Sequence, residues 1–548
     1  MAAARKHTEA LIVGAGPAGL MMAAQLLRYG IRPTIIDRRT GPDKRNKALI
    51  LQGRTLELFR QLGLANKILS NGIACEGIQI QEGKAVWAHV DFDQTTPPRG
   101  HFPALLTVSQ IQVESVLTQF LTENTCAIRW ETTLHALTQN DRGVRVGVSS
   151  DEGVETWRCD WVIGADGADS QVRQLAGIAV EVDAPMPIML AEMQLEEGRN
   201  RRIHLFLSRG KQFLGLFPMD ETGNYRFMGM LPRGTTISEG AFAPVKRWID
   251  GLLGFELPVA KVGWSAEVTL RRQKTAVMRQ QRCFLIGDAA HVFPYGLGLG
   301  LNIGMQEAAN LGWKLAGVVR GRYKPETLFS YEQERAAAAA RAMSMAASAW
   351  RVAADRPWTT NNWFWGAFRK RLQRELAKPR AAATLEADVA QWNVDYTASA
   401  LSVHHSTQFS VRAGDRLPYL PLFDEKQQSE TDLHAWCAKP GFILLVLGTV
   451  SHHNLRIIGQ WMKQKYPRDM HLYYLPYSDR NKEVFDQFEM RNTMTKMVLV
   501  RPDMHIAYIN DMLNTGLVDN YMETIMGWSY ESSSYHAGKI NLGIDDDA

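Results

Sequence analysis

The sequence predicts an α/β chain in three parts. These are a Rossmann-like dinucleotide domain, an antiparallel β domain inserted into it, and a separate C-terminal α/β unit. Three observations carry the prediction. Three short apolar runs each end in a Gly/Asp motif, and the hydrophobic period drops to two between the second and third. A fresh set of apolar runs then begins beyond Arg412. A chain of 548 residues is also too long for one core.

Ala10-Leu11-Ile12-Val13 is a continuous apolar run and reads as a buried parallel strand. Gly14-Ala15-Gly16-Pro17-Ala18-Gly19 follows at once, and Leu20 to Arg28 continues with helical periodicity. A second strand, Pro33 to Ile36, ends at Asp37. Gly14 permits the tight turn. Gly16 lets a pyrophosphate approach the amides at the helix N-terminus, and Gly19 lets helix and strand pack closely. Asp37 is placed to accept a ribose 2′-hydroxyl, which favours FAD or NAD over NADP at this site. Arg38 is grouped with it.

Trp161-Val162-Ile163-Gly164 is a second such strand, ended by Ala165-Asp166-Gly167. Cys283 to Gly287 is a third, ended by Asp288, an acid suited to ribityl hydroxyls. Strand tips are where open α/β sheets place ligand groups. His291 follows and reads as a buried, hydrogen-bonded histidine in preference to a base. Pro294 and the loop Gly296-Leu297-Gly298-Leu299-Gly300-Leu301-Asn302 lead into a helix predicted over Asn302–Leu315. A glycine loop feeding a helix offers free amides and a positive dipole end.

Between these motifs, Ile203, Leu205 and Leu207 alternate with other residues, as do Val262, Trp264, Ala266, Val268 and Leu270. Asp220 to Asn224 reads as a hairpin turn joining strands Phe213–Phe217 and Tyr225–Met230. This sheet is expected to roof a substrate pocket. His204, Tyr225 and Arg226 are candidate pocket groups, each read first as a sheet-surface residue, so no catalytic base is assigned. Glu332 to Arg351 is helical. Trp358, Trp363, Phe364 and Trp365 beyond it read as packing, pocket or dimer contacts, leaving a homodimer open. Trp363-Phe364-Trp365 is followed by Gly366-Ala367 and lies too late in the chain to be the Trp-x-Trp-x-Ile-Pro signature of flavin-dependent halogenases.

The remaining composition narrows the class. With 22% charged residues and a net charge of +5, the chain lacks the dense basic block of a nucleic-acid binder. The run Phe442–Leu447 is too short to cross a bilayer, and no targeting segment is visible. Cys75, Cys126, Cys159, Cys283 and Cys437 are widely spaced with no Cys-x-x-Cys pair. That argues against disulfides and zinc, and for a reducing cytoplasm.

With its three motifs in this order, the chain resembles the group A flavoprotein monooxygenases, aromatic hydroxylases of the para-hydroxybenzoate hydroxylase fold. Lys47-Ala48-Leu49 with Arg54-Thr55-Leu56-Glu57 resembles the family stretch Arg-Ala…Arg-Thr-Leu-Glu. Its first basic residue lies near the FAD; here that is Lys47, with Arg45 close by. Gln110 matches a family glutamine that contacts the flavin. The late loop departs from the family's Gly-Gly-Gln-Gly-Met-Asn by placing leucine at 297 and 299. The resemblance implies FAD as cofactor, NAD(P)H as transient reductant, O2 as co-substrate, and oxygen transfer to a phenolic or polycyclic aromatic through a flavin C4a-hydroperoxide. Baeyer–Villiger insertion and a catalytically silent flavin-binding protein remain as alternatives. It also implies a thioredoxin-like C-terminal domain, which with Cys437 alone is structural or dimer-forming. The expected division is 1–75, 104–180 and 272–340 for FAD, 76–103 and 181–271 for substrate, 341–400 as helical linker, and 401–548 as the third domain.

Overall fold

The computed structural model describes residues 6–43, 49–92, 99–196, 200–207, 213–230, 242–270, 272–293, 298–354 and 362–528. Arg45, Lys47, Pro294 and Trp358 lie outside the described residues, as do the side chains of Trp363, Phe364 and Trp365.

The three motif strands are neighbours. His7–Val13 pairs in parallel with the end of Gly153–Gly164, and that strand pairs in parallel with Cys283–Leu285. Thr34–Ile36 and Ile128–Arg129 extend the sheet on the other side. Ala10, Leu11 and Ile12 are wholly buried, as a strand covered on both faces must be. One face carries the helix Pro17–Arg28, opened by Pro17 in its first turn, and the helix Leu299–Val319 packs against it. The close approach is made by glycine: a Cβ on Gly304 would stand 3.0 Å from Gly287 Cα, and one on Gly312 would stand 2.7 Å from Gln25 Cβ.

The inserted domain is a seven-stranded sheet, with spatial order 259–270, 186–195, 224–230, 213–218, 202–207, 77–82, 85–91. The expected hairpin is present. One departure from an all-antiparallel sheet occurs: Arg202–Leu207 runs parallel to Gly77–Glu82. The two strands arrive from separate passes of the chain, so no hairpin turn constrains their direction. Alternation is clean. Leu190, Phe217 and Met228 point to one face, while Met189, Ala191, Leu216, Tyr225 and Phe227 point to the other, where Ile249 and Leu253 of the helix Phe242–Leu253 cover them.

The segment expected as a helical linker carries helices over Phe329–Ala354, Asn362–Leu376 and Pro379–Val389. Its end is packed: Val389, Ala390 and Trp392 join the core under the inserted sheet.

The C-terminal unit holds a five-stranded sheet. Phe442–Gly448 pairs in parallel with Met470–Leu475 across the helix His452–Lys465, and in antiparallel with Thr495–Val500. Thr495–Val500 pairs with Ile506–Asn510, and Val403–His405 closes that edge. This unit is tied to the first domain by buried charge. Glu334 receives both Arg501 Nη1 and Nη2 at 2.6 and 2.9 Å, and Lys314 Nζ at 2.7 Å. Glu57 pairs with Arg54 at 2.8 Å and with Arg416 at 2.7 Å. Arg54 and Glu57, from the stretch resembling the family's Arg-Thr-Leu-Glu, thus serve this junction.

Candidate functional site

The parallel pairing brings the three motif tips side by side. Gly14 N–H donates to Ile36 O at 2.8 Å, Ala165 N–H to Val13 O at 2.8 Å, and Ile286 N–H to Gly164 O at 2.9 Å. Beyond them opens a cavity of about 640 Å³. Among the predicted residues, Gly14, Gly16, Pro17, Ala18, Asp37, Arg38, Gln110, Asp166, Asp288, Gly298, Gly300 and Leu301 line it. Ala15, Gly19 and Asn302 stand behind its wall.

Those three have structural work. Ala15 N–H donates to Asp37 Oδ2 at 2.7 Å, fixing the acid over the glycine loop. A Cβ on Gly19 would stand 2.0 Å from Gly14 O. Asn302 is fully buried; its Nδ2 donates to Ile50 O at 2.9 Å and to Gly298 O at 2.8 Å, and its Oδ1 accepts from Gln52 N–H at 2.9 Å. It pins the late glycine loop to the strand Ile50–Gln52.

Two helix N-termini open into the same cavity, those of Pro17–Arg28 and Leu299–Val319. Each has glycine at its N-cap and no side chain capping it. Neighbouring helices differ: Ser109 and Ser170 cap theirs through their hydroxyls. Gly298 sits at φ +70°, and a Cβ there would meet Ile50 O at 2.5 Å. The helix therefore starts three residues earlier than predicted, because the left-handed glycine supplies the cap. Gly16 has no atom within 4 Å of a built Cβ, so its open side faces the cavity and not the protein. Uncapped amides beside open space suit an anionic phosphate group.

The acids divide by partner. Burial pushes the Asp37 carboxyl up, but Arg39 and the amides of Ala15 and Arg39 outweigh it and hold it below the usual carboxylate range. Arg39, which the sequence reading passed over for Arg38, donates to Asp37 at 2.8 and 3.0 Å. Asp166 is pushed up by burial, although Ser170 and the amides of Gln171 and Val172 donate to it. Its carboxylate thus caps the short helix Gln171–Leu175. Arg173 on that helix donates to Ala289 O at 3.0 Å and Ala168 O at 2.7 Å, joining the second tip to the third. Asp288 is exposed to the cavity, midway along a loop held at both ends by buried Glu307. Glu307 Oε2 accepts from Gly287 N–H at 2.8 Å, and its Oε1 lies 2.5 Å from His291 Nε2. His291 is buried, as read. Gln110 Nε2 donates to Glu114 Oε1 at 2.7 Å on the cavity rim.

The inserted sheet closes the far side with Leu190, Phe217, Arg226, Met228 and Val268, and Phe293 and Leu299 face them from the third motif. Of the three candidate pocket groups, Arg226 lines the cavity. Tyr225 points to the opposite face, its hydroxyl donating to Asn200 O at 3.2 Å. His204 is buried and off the cavity wall.

The chain is similar to several known proteins. The 6-methylpretetramide 4-monooxygenase of Streptomyces rimosus is 31% identical over 341 residues, covering 61% of this chain and 60% of that protein. The pentachlorophenol 4-monooxygenase of Sphingobium chlorophenolicum is 32% identical, covering 59% and 61%. The match therefore spans about three fifths of each of these curated relatives. The structure of OxyS anhydrotetracycline hydroxylase from Streptomyces rimosus superposes with a TM-score of 0.76 at 24% identity, covering 95% of this chain and 99% of that one, so the fold is shared through the C-terminal unit. A family model described as the FAD binding domain matches residues 7–346, the segment carrying all three motifs, and the chain belongs to that family.

Proposed function

We propose that this protein is an FAD-dependent, NAD(P)H-consuming monooxygenase that hydroxylates a phenolic or polycyclic aromatic substrate. One observation carries the reading: two uncapped helix N-termini and three strand tips share a cavity whose far wall is apolar but for Arg226.

The residues present fit FAD. Gly16 and Ala18 would receive the pyrophosphate, Asp37 the adenosine ribose, and Asp288 the ribityl chain. The Gly298–Leu301 turn would face the flavin ring with a positive helix end, which favours the negative charge a flavin gains on reduction. Bound there, FAD supplies hydride acceptance from NAD(P)H and activation of O2. The chain's own contribution is positioning and exclusion of water. Leu190, Phe217, Met228, Val268, Phe293 and Leu299 offer a planar ring apolar contact and keep solvent from the reacting atoms. The relatives' printed names, covering a pretetramide and pentachlorophenol, support an aromatic substrate.

The C-terminal unit reads as thioredoxin-like. Its parallel pair across a helix, followed by an antiparallel pair, supports this. Burial pushes the Cys437 thiol up to about 12, which argues against thiol exchange there and supports a structural or dimer-forming unit.

The test is anaerobic mixing of the holoenzyme with NADPH or NADH across a panel of phenols and polyphenols, followed by turnover under labelled dioxygen. Faster flavin bleaching with some aromatics, and one labelled hydroxyl on the product ring, are expected. Label inserted between a carbonyl and its neighbouring carbon would instead establish Baeyer–Villiger chemistry. No bleaching with any compound would mark a silent flavoprotein.

A further inference from the structure

The helix Leu299–Val319 carries two stripes on opposite faces. Gly300, Gly304, Ala308, Gly312 and Ala316 recur at every fourth position and form one. Asn302, Gln306, Asn310 and Lys314 form the other, two positions on and so about 200° round the helix. The small face lies against the helix Pro17–Arg28 and the third motif: a Cβ on Gly304 would stand 3.1 Å from Ala18 Cβ, and one on Gly300 would stand 3.6 Å from Asp288 Oδ1. Such a face brings backbones close, but it has no side-chain ridges to interlock along the helix axis. Polar contacts must therefore fix this helix lengthwise.

Glu307 ties it to the third motif, and the polar stripe ties it at two further places. Asn302, beside the late glycine loop, holds Ile50 O and Gln52 N–H. Two turns on, Asn310 Nδ2 donates to Glu334 Oε2 at 2.6 Å and to Asp503 Oδ2 at 3.2 Å, and its Oδ1 accepts from Lys314 Nζ at 2.9 Å. Asp503 belongs to the C-terminal unit, where Arg501 Nε and Nη2 donate to it at 3.0 and 2.6 Å. Gln306 lies between Asn302 and Asn310, is buried, and finds no acceptor for its Nε2 among the described residues. The stripe is thus fastened at its ends and idle in its middle.

Both ends act on one rod. From Gly298 to Asn310 is about 18 Å of helix. A slide of about 1 Å along the axis would draw the Asn302 and Asn310 bonds out of their favourable range together. The N-terminal amides at the cavity therefore cannot shift unless Glu334 and Asp503 move with them or let go.

We propose that Asn310 is a positioning residue for the flavin: it sets the axial position of the helix whose first amides face the ring, and so couples FAD binding to the seating of the C-terminal unit. The inference rests on reading the cavity as the FAD site. The C-terminal unit thereby takes part in cofactor retention, although none of its described residues lines the cavity. Such coupling is reciprocal: the factor by which a seated unit raises FAD affinity is the factor by which FAD favours seating.

The experiment has two arms, both on the full chain. In the first, apoprotein is titrated calorimetrically with FAD. Asn310→Leu, nearly the same in shape, is expected to bind FAD about tenfold more weakly, within the usual range of coupling. Arg60→Ala removes the Arg60–Asp432 pair, at 3.0 and 2.8 Å, which joins the same two units away from this helix. Arg60→Ala and Gln306→Met should both keep FAD affinity within about twofold of the parent, a difference well under 1.4 kcal/mol. In the second arm, amide hydrogen exchange of the parent is followed with and without FAD. The junction segment, in which Arg501 N–H donates to His505 O and Met504 N–H to Arg501 O, should slow about tenfold more than the edge strand Met470–Leu475, which reports global stabilisation. Asn310→Leu should lose that excess. This arm needs no variant in the parent comparison, so it decides the matter if Asn310→Leu does not fold. Equal slowing of both segments, unchanged FAD affinity in Asn310→Leu, or an equal loss in Arg60→Ala or Gln306→Met overturns the inference while FAD binding itself stands. A parent apoprotein that takes up no FAD refutes the reading of the cavity, and the inference with it.

Discussion

The three glycines of the first motif look alike in sequence and differ in what a side chain would strike. A Cβ on Gly14 would stand 2.3 Å from Ala165 O, and Gly14 itself lies at φ +108°. Gly19 is blocked by Gly14 O, whereas Gly16 faces empty space. Gly16→Val is therefore expected to fold with a thermal midpoint close to the parent and to lose FAD affinity by about a hundredfold or more, roughly 2.7 kcal/mol, measured by titrating the apoprotein. Gly19→Val should instead lower the midpoint itself, and a folded Gly19→Val that merely lost its colour would contradict the packing described. Asp288→Ala removes an exposed acid that contributes to no core, so weaker FAD retention without a change in midpoint is expected; its flavin dissociation rate reads this directly. Arg39 was illegible in the sequence because Asp37 has two adjacent arginines, and only the backbone course decides which one turns back to it.

The loops at the strand tips are set by partners far away in the chain. Glu307 clamps Gly287 and His291, Arg173 crosses to Ala289 O, and Asn302 reaches Ile50 O. The motif strands, the glycine loop and the inserted hairpin were legible because their signals are local: a period, a turn, a run of apolar residues. Asn302 and Glu307 were not resolvable in role, since a polar residue inside a helix pattern does not announce whether it faces a cofactor or a neighbouring strand. Glu307→Ala leaves Gly287 N–H and His291 without their acceptor in a buried site, which costs about 1–3 kcal/mol for each group left unpaired. A lowered thermal midpoint together with faster FAD release is expected. Glu307→Gln keeps an acceptor for Gly287 and should recover most of both; recovery of neither would show that the charge, not the contact, holds the loop.

Across the whole molecule, the first domain and the C-terminal unit meet through buried charge that no local pattern reveals. Arg54 Nη2 of the first domain donates to Asp503 O of the C-terminal unit, 449 positions away. Burial pushes the Glu334 carboxyl up, but Arg501 and Lys314 outweigh it and bring it down to about 2. Glu57 and Asp503 are likewise held low by their arginines against the effect of burial. Each of these acids has a folded-state value below its ordinary one, so the unfolded chain binds more protons and stability rises with pH there. For Glu334 the window runs from 4.5 down to about 2: the thermal midpoint should fall steeply on acidification through it, and less steeply in Glu334→Gln. Glu334→Ala, which strands Arg501 and Lys314, should cost about 3–5 kcal/mol in urea unfolding at neutral pH. The central claim is nonetheless the site itself, in which separated motifs converge to hold one flavin nucleotide. Calorimetric titration of the apoprotein with FAD tests it most directly. One FAD per chain, with binding lost in Gly16→Val and folding kept, is the predicted result; an apoprotein that takes up no FAD, or a Gly16→Val variant that binds it as tightly as the parent, would contradict the account.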